Sequence, residues 1–339
     1  MNLATTLAER TPLPNAVTLT AIDFLVRRSK RQIAQSALSE EAFAAAMDDY
    51  PVAVHADAAN AQHYEIPDEF FGWVLGPQRK YSCCLYLGAG TTLDEAETLS
   101  LAETCLHADL HDGQTILELG CGWGSLSLFM AKTYPKAHIV SVSNSQSQRA
   151  YIERQAKLRG LKNLTVITAD MNDFTSALAF DRIVSVEMFE HMSNWRELLA
   201  RARSWLKPDG ALFLHVFTSK QHSYRFNHAA DADDWIGKYF FTGGIMPAQD
   251  LPHRFPDLFA VDAEWRWSGE NYRRTAMDWL NNFDAHQAEI TPILKAVYGK
   301  DAGLWRRRWR LFFLATAGLW GHADGSEWGV GHYRLRPVS

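Results

Sequence analysis

Between residues 115 and 124 the chain reads Thr-Ile-Leu-Glu-Leu-Gly-Cys-Gly-Trp-Gly, and few folds accommodate that run. Five residues of strand character end in alternating glycines, and a helical pattern begins at once over 123–134. Glycines at such a turn let the backbone fold tightly and approach a ligand with no side chain in the way. The alternation continues downstream. Apolar runs at 138–142, 164–168, 182–186 and 211–217 are separated by helical patterns at 146–160 and 193–206, the last stopped by Pro208 and Gly210. Strands spaced this way, with helices as crossovers, predict a parallel sheet covered on both faces. Runs at 259–265 and 330–336 predict antiparallel strands at its far edge.

The flanks read differently. Residues 1–60 are Ala-rich and helical, with no glycine before Gly72, and form an expected N-terminal lid; residues 61–339 form the main domain. A helix over 21–36 carries the basic run Arg27 to Arg31, either a solvated face or a surface for anionic groups. Segment 220–257 has no periodicity and is rich in Phe, Tyr, His and Gly, which suggests an insertion over the site. Residues 275–320 look helical again. Within them, Trp305-Arg306-Arg307-Arg308-Trp309-Arg310 fits a core helix with long cationic stems better than a membrane-docking face.

The composition bounds the function. At 339 residues, with 47% hydrophobic and 22% charged residues, the chain is globular rather than disordered. A net charge of −5 offers no general field for nucleic acid. No apolar run reaches the ~20 residues that span a bilayer. Glu9 and Arg10 interrupt the start of the chain where a signal peptide needs an apolar stretch. Cys83, Cys84, Cys105 and Cys121 lack zinc or disulfide-scaffold spacing and read as reduced thiols, so a cytoplasmic location is expected. Twelve Trp beside 18 Phe and 11 Tyr point to a pocket for an apolar or cationic ligand.

Three details give the glycine turn a chemistry. Glu118 precedes it, where a dinucleotide site usually has a neutral residue, and a carboxylate there suits a cationic ligand. The second strand ends in Ser143-Asn144-Ser145, placed to bond ribose hydroxyls. The third ends in Asp170-Met171, able to accept from an exocyclic amine and to pack on a purine face. With these, the chain resembles the class I S-adenosylmethionine-dependent methyltransferases, whose first motif is E/D-x-G-x-G-x-G. That resemblance implies an α/β, Rossmann-like, doubly wound sheet with an antiparallel edge strand, plus N-terminal helices and a helical, aromatic insertion covering the active site. It implies S-adenosylmethionine as cofactor, S-adenosylhomocysteine as product, and Tyr81, Ser82, Glu118, Gly120, Gly122, Asn144, Gln148, Asp170 and Met171 around them. Asn144 departs from the acidic residue that many class I enzymes place at the ribose.

Further segments narrow the family. His63-Tyr64-Glu65-Ile66-Pro67-Asp68-Glu69-Phe70-Phe71, Lys80-Tyr81-Ser82-Cys83-Cys84-Leu85-Tyr86 and Val186-Glu187-Met188-Phe189-Glu190-His191-Met192 look like the cyclopropane-fatty-acyl-phospholipid synthase superfamily, over roughly 60–336. Glu187, Asp233-Asp234-Trp235 and Gly325-Ser326-Glu327-Trp328 look most like its coclaurine N-methyltransferase-like branch; the synthases typically carry a small residue at Glu187. The implied reaction is N-methylation of a small aromatic or alkaloid-like amine. Most aliphatic amines are protonated near neutral pH, so something must take that proton. Glu187, Glu190 and His191 are the candidate general base, an effect of ~10²–10⁴ in rate. Glu190 is expected to be ionised, with an aromatic wall near Tyr81 and Phe240 or Phe241. A blander alternative has His191 and one Glu capping the helix near 193. The enzymatic alternative is cyclopropanation of unsaturated acyl chains, with a bicarbonate held by Cys83, Glu190, His215 and Tyr272; only that reading calls for membrane contact. The expected partner is a small-molecule amine, with no nucleic acid, and a homodimer stays open.

Overall fold

The computed structural model describes residues 9, 11, 13–54, 66–226 and 235–338, so His63, Tyr64, Glu65, Asp233 and Asp234 lie outside the described residues. Seven strands form one sheet: β1 (Thr115–Leu119), β2 (His138–Ser143), β3 (Leu164–Thr168), β4 (Phe180–Val186), β5 (Leu206–Ser219), β6 (Phe259–Ser268) and β7 (Trp328–Pro337). Their order is β3-β2-β1-β4-β5-β7-β6. The first five run parallel, and β7 enters antiparallel between β5 and β6. The order reverses at β1, where β2 lies to one side and β4 to the other. A crevice opens at the carboxyl ends of the strands at such a point.

Helices α1 (Asn15–Ser36), α2 (Glu40–Ala46), α3 (Asp68–Val74) and α4 (Leu93–His107) precede the sheet. Crossovers α5 (Ser125–Thr133), α6 (Gln146–Leu158) and α7 (Trp195–Trp205) follow, and a short α8 (Trp235–Tyr239) lies in the insertion. Then α9 (Gly269–Ala285), α10 (Gln287–Tyr298) and α11 (Ala302–Trp320) stand between β6 and β7. Helix starts are written in capping residues: Thr92 with Glu95 for α4, Ser145 for α6, Asn194 for α7 and Ser268 for α9. Strand alternation puts Ile116, Ile139, Val184 and Phe213 in one buried cluster, and Leu117, Val140, Ile183 and Leu212 in another. Leu101, Leu126 and Met130 of α4 and α5 join the first, while Trp195, Leu198 and Leu199 of α7 join the second. Both faces are therefore dry, which is why these strands read as continuous apolar runs.

Two elements differ from expectation. Strand β5 starts at Leu206, five residues early, because 206–210 continue along β4 across an irregular register between Phe180 and Arg182. Helix α4 went unrecognised, although its Thr92–Glu95 capping box is a local signal. The tryptophan–arginine run lies in α11 as a core helix: Trp309 is fully buried, Trp305 stacks on Tyr298 at 4.4 Å, Arg308 reaches Glu9 at 3.1 Å and Arg310 reaches Asp284 at 2.9 Å. The basic run of α1 is largely solvated, with Arg27 paired to Asp23 and Lys30 to Glu327. Among the described residues no helix is long and apolar enough to cross a membrane.

One buried acid shapes the approach to the site. Glu97 on α4 accepts the backbone N–H groups of Gly76 (3.0 Å), Gln78 (2.7 Å) and Lys80 (3.2 Å), and burial pushes its pKa up to about 7. It thereby folds residues 76–80, which lead into Tyr81–Cys84. Glu97→Ala strands those donors and is expected to cost about 2–4 kcal/mol, read from the midpoint of urea unfolding.

Candidate active site

Gly120, Gly122 and Gly124 all adopt positive φ, +80, +51 and +77°. A Cβ on Gly120 would lie 2.5 Å from the Met188 side chain, and one on Gly124 would lie 2.5 Å from Ile152. At Gly122 it would meet nothing within 4 Å. The outer two glycines serve the protein's own packing, whereas the middle one borders open space that a ligand can fill. Tyr81, Ser82, Glu118, Gly120, Gly122, Asn144, Gln148, Asp170 and Met171 border one cleft there. Glu118 is buried between the Ser127 and Ser141 hydroxyls, which donate to it, and burial raises its pKa to about 7. Ser143 donates to Gln148 Oε1 at 2.6 Å, fixing the end of β2 to the first turn of α6. Asp170 Oδ1 accepts from Asn172 N–H at 2.7 Å, while Oδ2 keeps no partner among the described residues.

Glu187 directly follows β4 with φ +47°, a left-handed conformation that costs a non-glycine residue about 1–3 kcal/mol. Its side chain lies on the same cleft, and groups from separate elements hold it. Cys83 N–H donates to Oε1 at 2.9 Å, the Tyr272 hydroxyl of α9 donates to Oε2 at 2.7 Å, and His215 Nε2 of β5 lies 3.3 Å from Oε1. Burial raises the Glu187 pKa; the Lys80 charge, the Cys83 N–H and the Tyr272 hydroxyl pull it back. A carboxylate oxygen can accept more than one hydrogen bond, so Oε2 keeps room for a ligand N–H.

The remaining candidates separate. His191 borders the cleft, its ring 4.3 Å from that of Phe241. Neither it nor Glu190 caps α7, whose cap is Asn194. Glu190 corrects an expectation: it is fully buried away from the cleft lining, and Oε1 accepts Phe217 N–H at 2.6 Å. Oε2 has no partner among the described residues. Burial first, then the neighbouring Glu187 charge, push its pKa far up, which disfavours the ionised form expected of a base. Phe240 is likewise core, stacked on Phe312 at 4.4 Å, and Phe241 is the residue on the cleft. Cys83 presents its backbone N–H to Glu187 while its thiol is buried, kept neutral mainly by desolvation. Unforeseen were Lys80, fully buried with Nζ on Ser82 Oγ and Cys83 O, and Trp320, which stacks on Tyr272 at 4.9 Å.

Sheet order and cleft together define a class I methyltransferase fold, and the comparisons narrow it. The chain belongs to the family described as mycolic acid cyclopropane synthetase, whose model matches residues 53–317. It is 35% identical to (S)-coclaurine N-methyltransferase of Thalictrum flavum subsp. glaucum over 286 residues, 83% of this chain and 79% of that protein. It is 30% identical to the cyclopropane-fatty-acyl-phospholipid synthase of Escherichia coli K12 over 272 residues, 79% of this chain and 66% of that protein. A crystal structure of coclaurine N-methyltransferase bound to N-methylheliamine and S-adenosylhomocysteine matches with TM-score 0.91 and 32% identity, covering 98% of each chain.

The burial of Glu190, which favours its neutral form, makes a direct prediction. Glu190→Gln keeps its shape and should leave urea-unfolding stability within ~1 kcal/mol of the parent, and an infrared band for a buried protonated carboxyl should disappear. Loss of the fold in that variant would show that Glu190 needs its charge.

Proposed function

We propose that the protein transfers the methyl group of S-adenosylmethionine to the nitrogen of a small aromatic or alkaloid-like amine, releasing S-adenosylhomocysteine. The observation that carries this reading is the Glu187 carboxylate: buried, held from three sides and open to the cleft. The (S)-coclaurine N-methyltransferase relative supports the amine as acceptor.

The cofactor fits what the turn offers. Open space at Gly122 accepts a ligand edge, the uncommitted Asp170 Oδ2 suits an exocyclic amine, and Asn144 and Gln148 supply groups for hydroxyls. When bound, S-adenosylmethionine supplies a sulfonium methyl open to in-line displacement. The protein's own groups do the rest. The aromatic wall of Phe241, Tyr272 and Trp320 attracts an ammonium through its ring faces. Glu187 takes its proton and frees the lone pair, and Tyr272 and the Cys83 N–H hold the carboxylate in place. His191 lines the same space as a second polar contact. Positioning the amine against the methyl can contribute ~7–11 kcal/mol of barrier reduction. We also take the N-terminal helices as a cover, since Ala53 borders the cleft and α1 packs on α11 with Ile22 against Gly318. Four buried, unpaired cysteines suit the reducing cytoplasm.

Cyclopropanation needs a separate anion among Cys83, Glu190, His215 and Tyr272. Here the Glu187 carboxylate already engages three of those four residues, and burial disfavours charge on Glu190. Incubation with labelled S-adenosylmethionine, benzylisoquinoline amines, simple secondary amines and unsaturated phospholipid vesicles tests the reading. Label is expected in amines; label confined to lipid would overturn it.

Two variants refine the test. Gly122→Val fills the open space, and calorimetry is expected to show S-adenosylhomocysteine binding lost. Glu187→Gln should lower kcat ~10²–10⁴-fold with cofactor affinity little changed. The base must be ionised and burial raises its pKa, so kcat/KM in the parent should rise with pH through a value above the ordinary carboxylate range. That limb should be absent in Glu187→Gln.

A further inference from the structure

Behind Glu187 three histidines stand in an unbroken row that ends at a partly exposed carboxylate. His215 Nε2 is 3.3 Å from Glu187 Oε1, and its Nδ1 is 2.8 Å from His332 Nε2. His332 Nδ1 is 2.7 Å from His107 Nδ1, and His107 Nε2 is 3.0 Å from Glu103 Oε1. His215 and His332 are fully buried, whereas the Glu103 side chain is 37% exposed. Sheet register builds the row: His215 on β5 and His332 on β7 are direct partners. The last turn of α4 brings His107 beneath them, stacked on Trp265 at 3.8 Å. Trp267 packs against His332 and His215 at 4.3 and 5.3 Å. Packing alone gives no reason for three imidazoles here, because burying polar rings is unfavourable unless every nitrogen is bonded.

Counting protons shows what the row can do. Five groups make four contacts, each contact needs one proton, and three neutral imidazoles bring three. Burial holds all three rings toward the neutral state. A complete row therefore carries one further proton, on the carboxyl at one end or the other. With it on Glu187, every ring N–H points toward Glu103; with it on Glu103, every ring N–H points toward Glu187. A shift of one proton across each contact interconverts the two.

We propose that this row carries the proton removed from the substrate ammonium away from the closed cleft, from Glu187 through His215, His332 and His107 to Glu103 and water. The inference rests on the amine reading. Before turnover the row is one proton short, with both carboxylates ionised and every ring N–H pointing toward Glu103. In the closed site the ammonium N–H bond breaks and a Glu187 O–H bond forms. Each ring then gains a proton on the nitrogen facing Glu187 and releases one from the other, and Glu103 takes the last from His107 Nε2 and passes it to solvent. The methylated product leaves as its own ammonium, so one proton is released per methyl transferred. With the cleft open the row resets. A solvent proton taken up at Glu103 travels inward, restores the first tautomers, and leaves Glu187 into water.

The experiment varies the basicity of the amine at fixed pH 7.5. Lys80, His191, Glu190, Cys83 and Tyr272 around Glu187, and Arg334 near His107, then keep one state throughout. Glu103→Gln, at the surface, and His332→Phe, in the middle, are compared with the parent in single turnovers on amines of graded pKa. The series runs from ordinary secondary amines to fluorinated analogues that are free bases at that pH. Both variants are expected to slow the ordinary amines at least fivefold and the free-base analogues less than twofold, with S-adenosylhomocysteine affinity unchanged. A deficit equal across the series would make the row structural and overturn the relay, and so would no deficit in Glu103→Gln. A parent that methylates no amine of either kind overturns the amine reading and the relay together. A parent active on amines whose variants ignore amine basicity removes the relay alone.

Discussion

A carboxylate stays charged inside a protein only while donors and countercharge replace the water it gave up. Glu187 is under that constraint, and much of the molecule meets it. Its backbone sits in a left-handed conformation at the carboxyl end of β4, its oxygens reach a loop amide, a helix hydroxyl and a strand imidazole, and Lys80 supplies buried positive charge. The loop amide is in place because Glu97 gathers residues 76–80. The hydroxyl is in place because α9 starts at a Ser268 cap and packs Tyr272 on Trp320. Strain, burial and polar partners thus converge on one side chain, the pattern expected where a group is kept for chemistry rather than for stability.

What the sequence displayed and what it concealed divide along the range of the interactions. The parallel strands, the crossovers and the glycine turn were legible because periodicity and turn chemistry are local. The nine residues expected around the cofactor do border one cleft, since strand ends at one sheet edge are adjacent by topology. Glu190 and Phe240 were misread because burial is a tertiary property: the next turn of chain, not the residue type, decides that Glu190 is sealed and Phe241 is not. His332 and His107 carried no signal at all. Neither sits in a motif, and only the register of β5 with β7 together with the last turn of α4 makes them a row.

The cyclopropanation alternative calls for a free anion among the groups around Glu187, and the amine reading does not. Cys83, His215 and Tyr272 surround a negative oxygen pair that is covalently attached here, on Glu187. An attached carboxylate cannot drift to follow a proton along a flexible acyl chain. It favours an acceptor whose nitrogen is brought to a fixed point. Fixing that point falls to rigid aromatic surface: Tyr272 stacked on Trp320, Phe217 against both Trp320 and Phe241, and His191 beside Phe241. These rings come from the turn after β4, from β5, the insertion after it, α9 and α11, none of which belongs to the glycine turn. On the proposed reading, the methyl donor and Glu187 are positioned by the sheet, while the choice among amines falls to segments packed onto its edge. Changes in the insertion or in α11 alter the wall without removing a Glu187 partner, whereas Tyr272 of α9 belongs both to the wall and to the carboxylate's contacts.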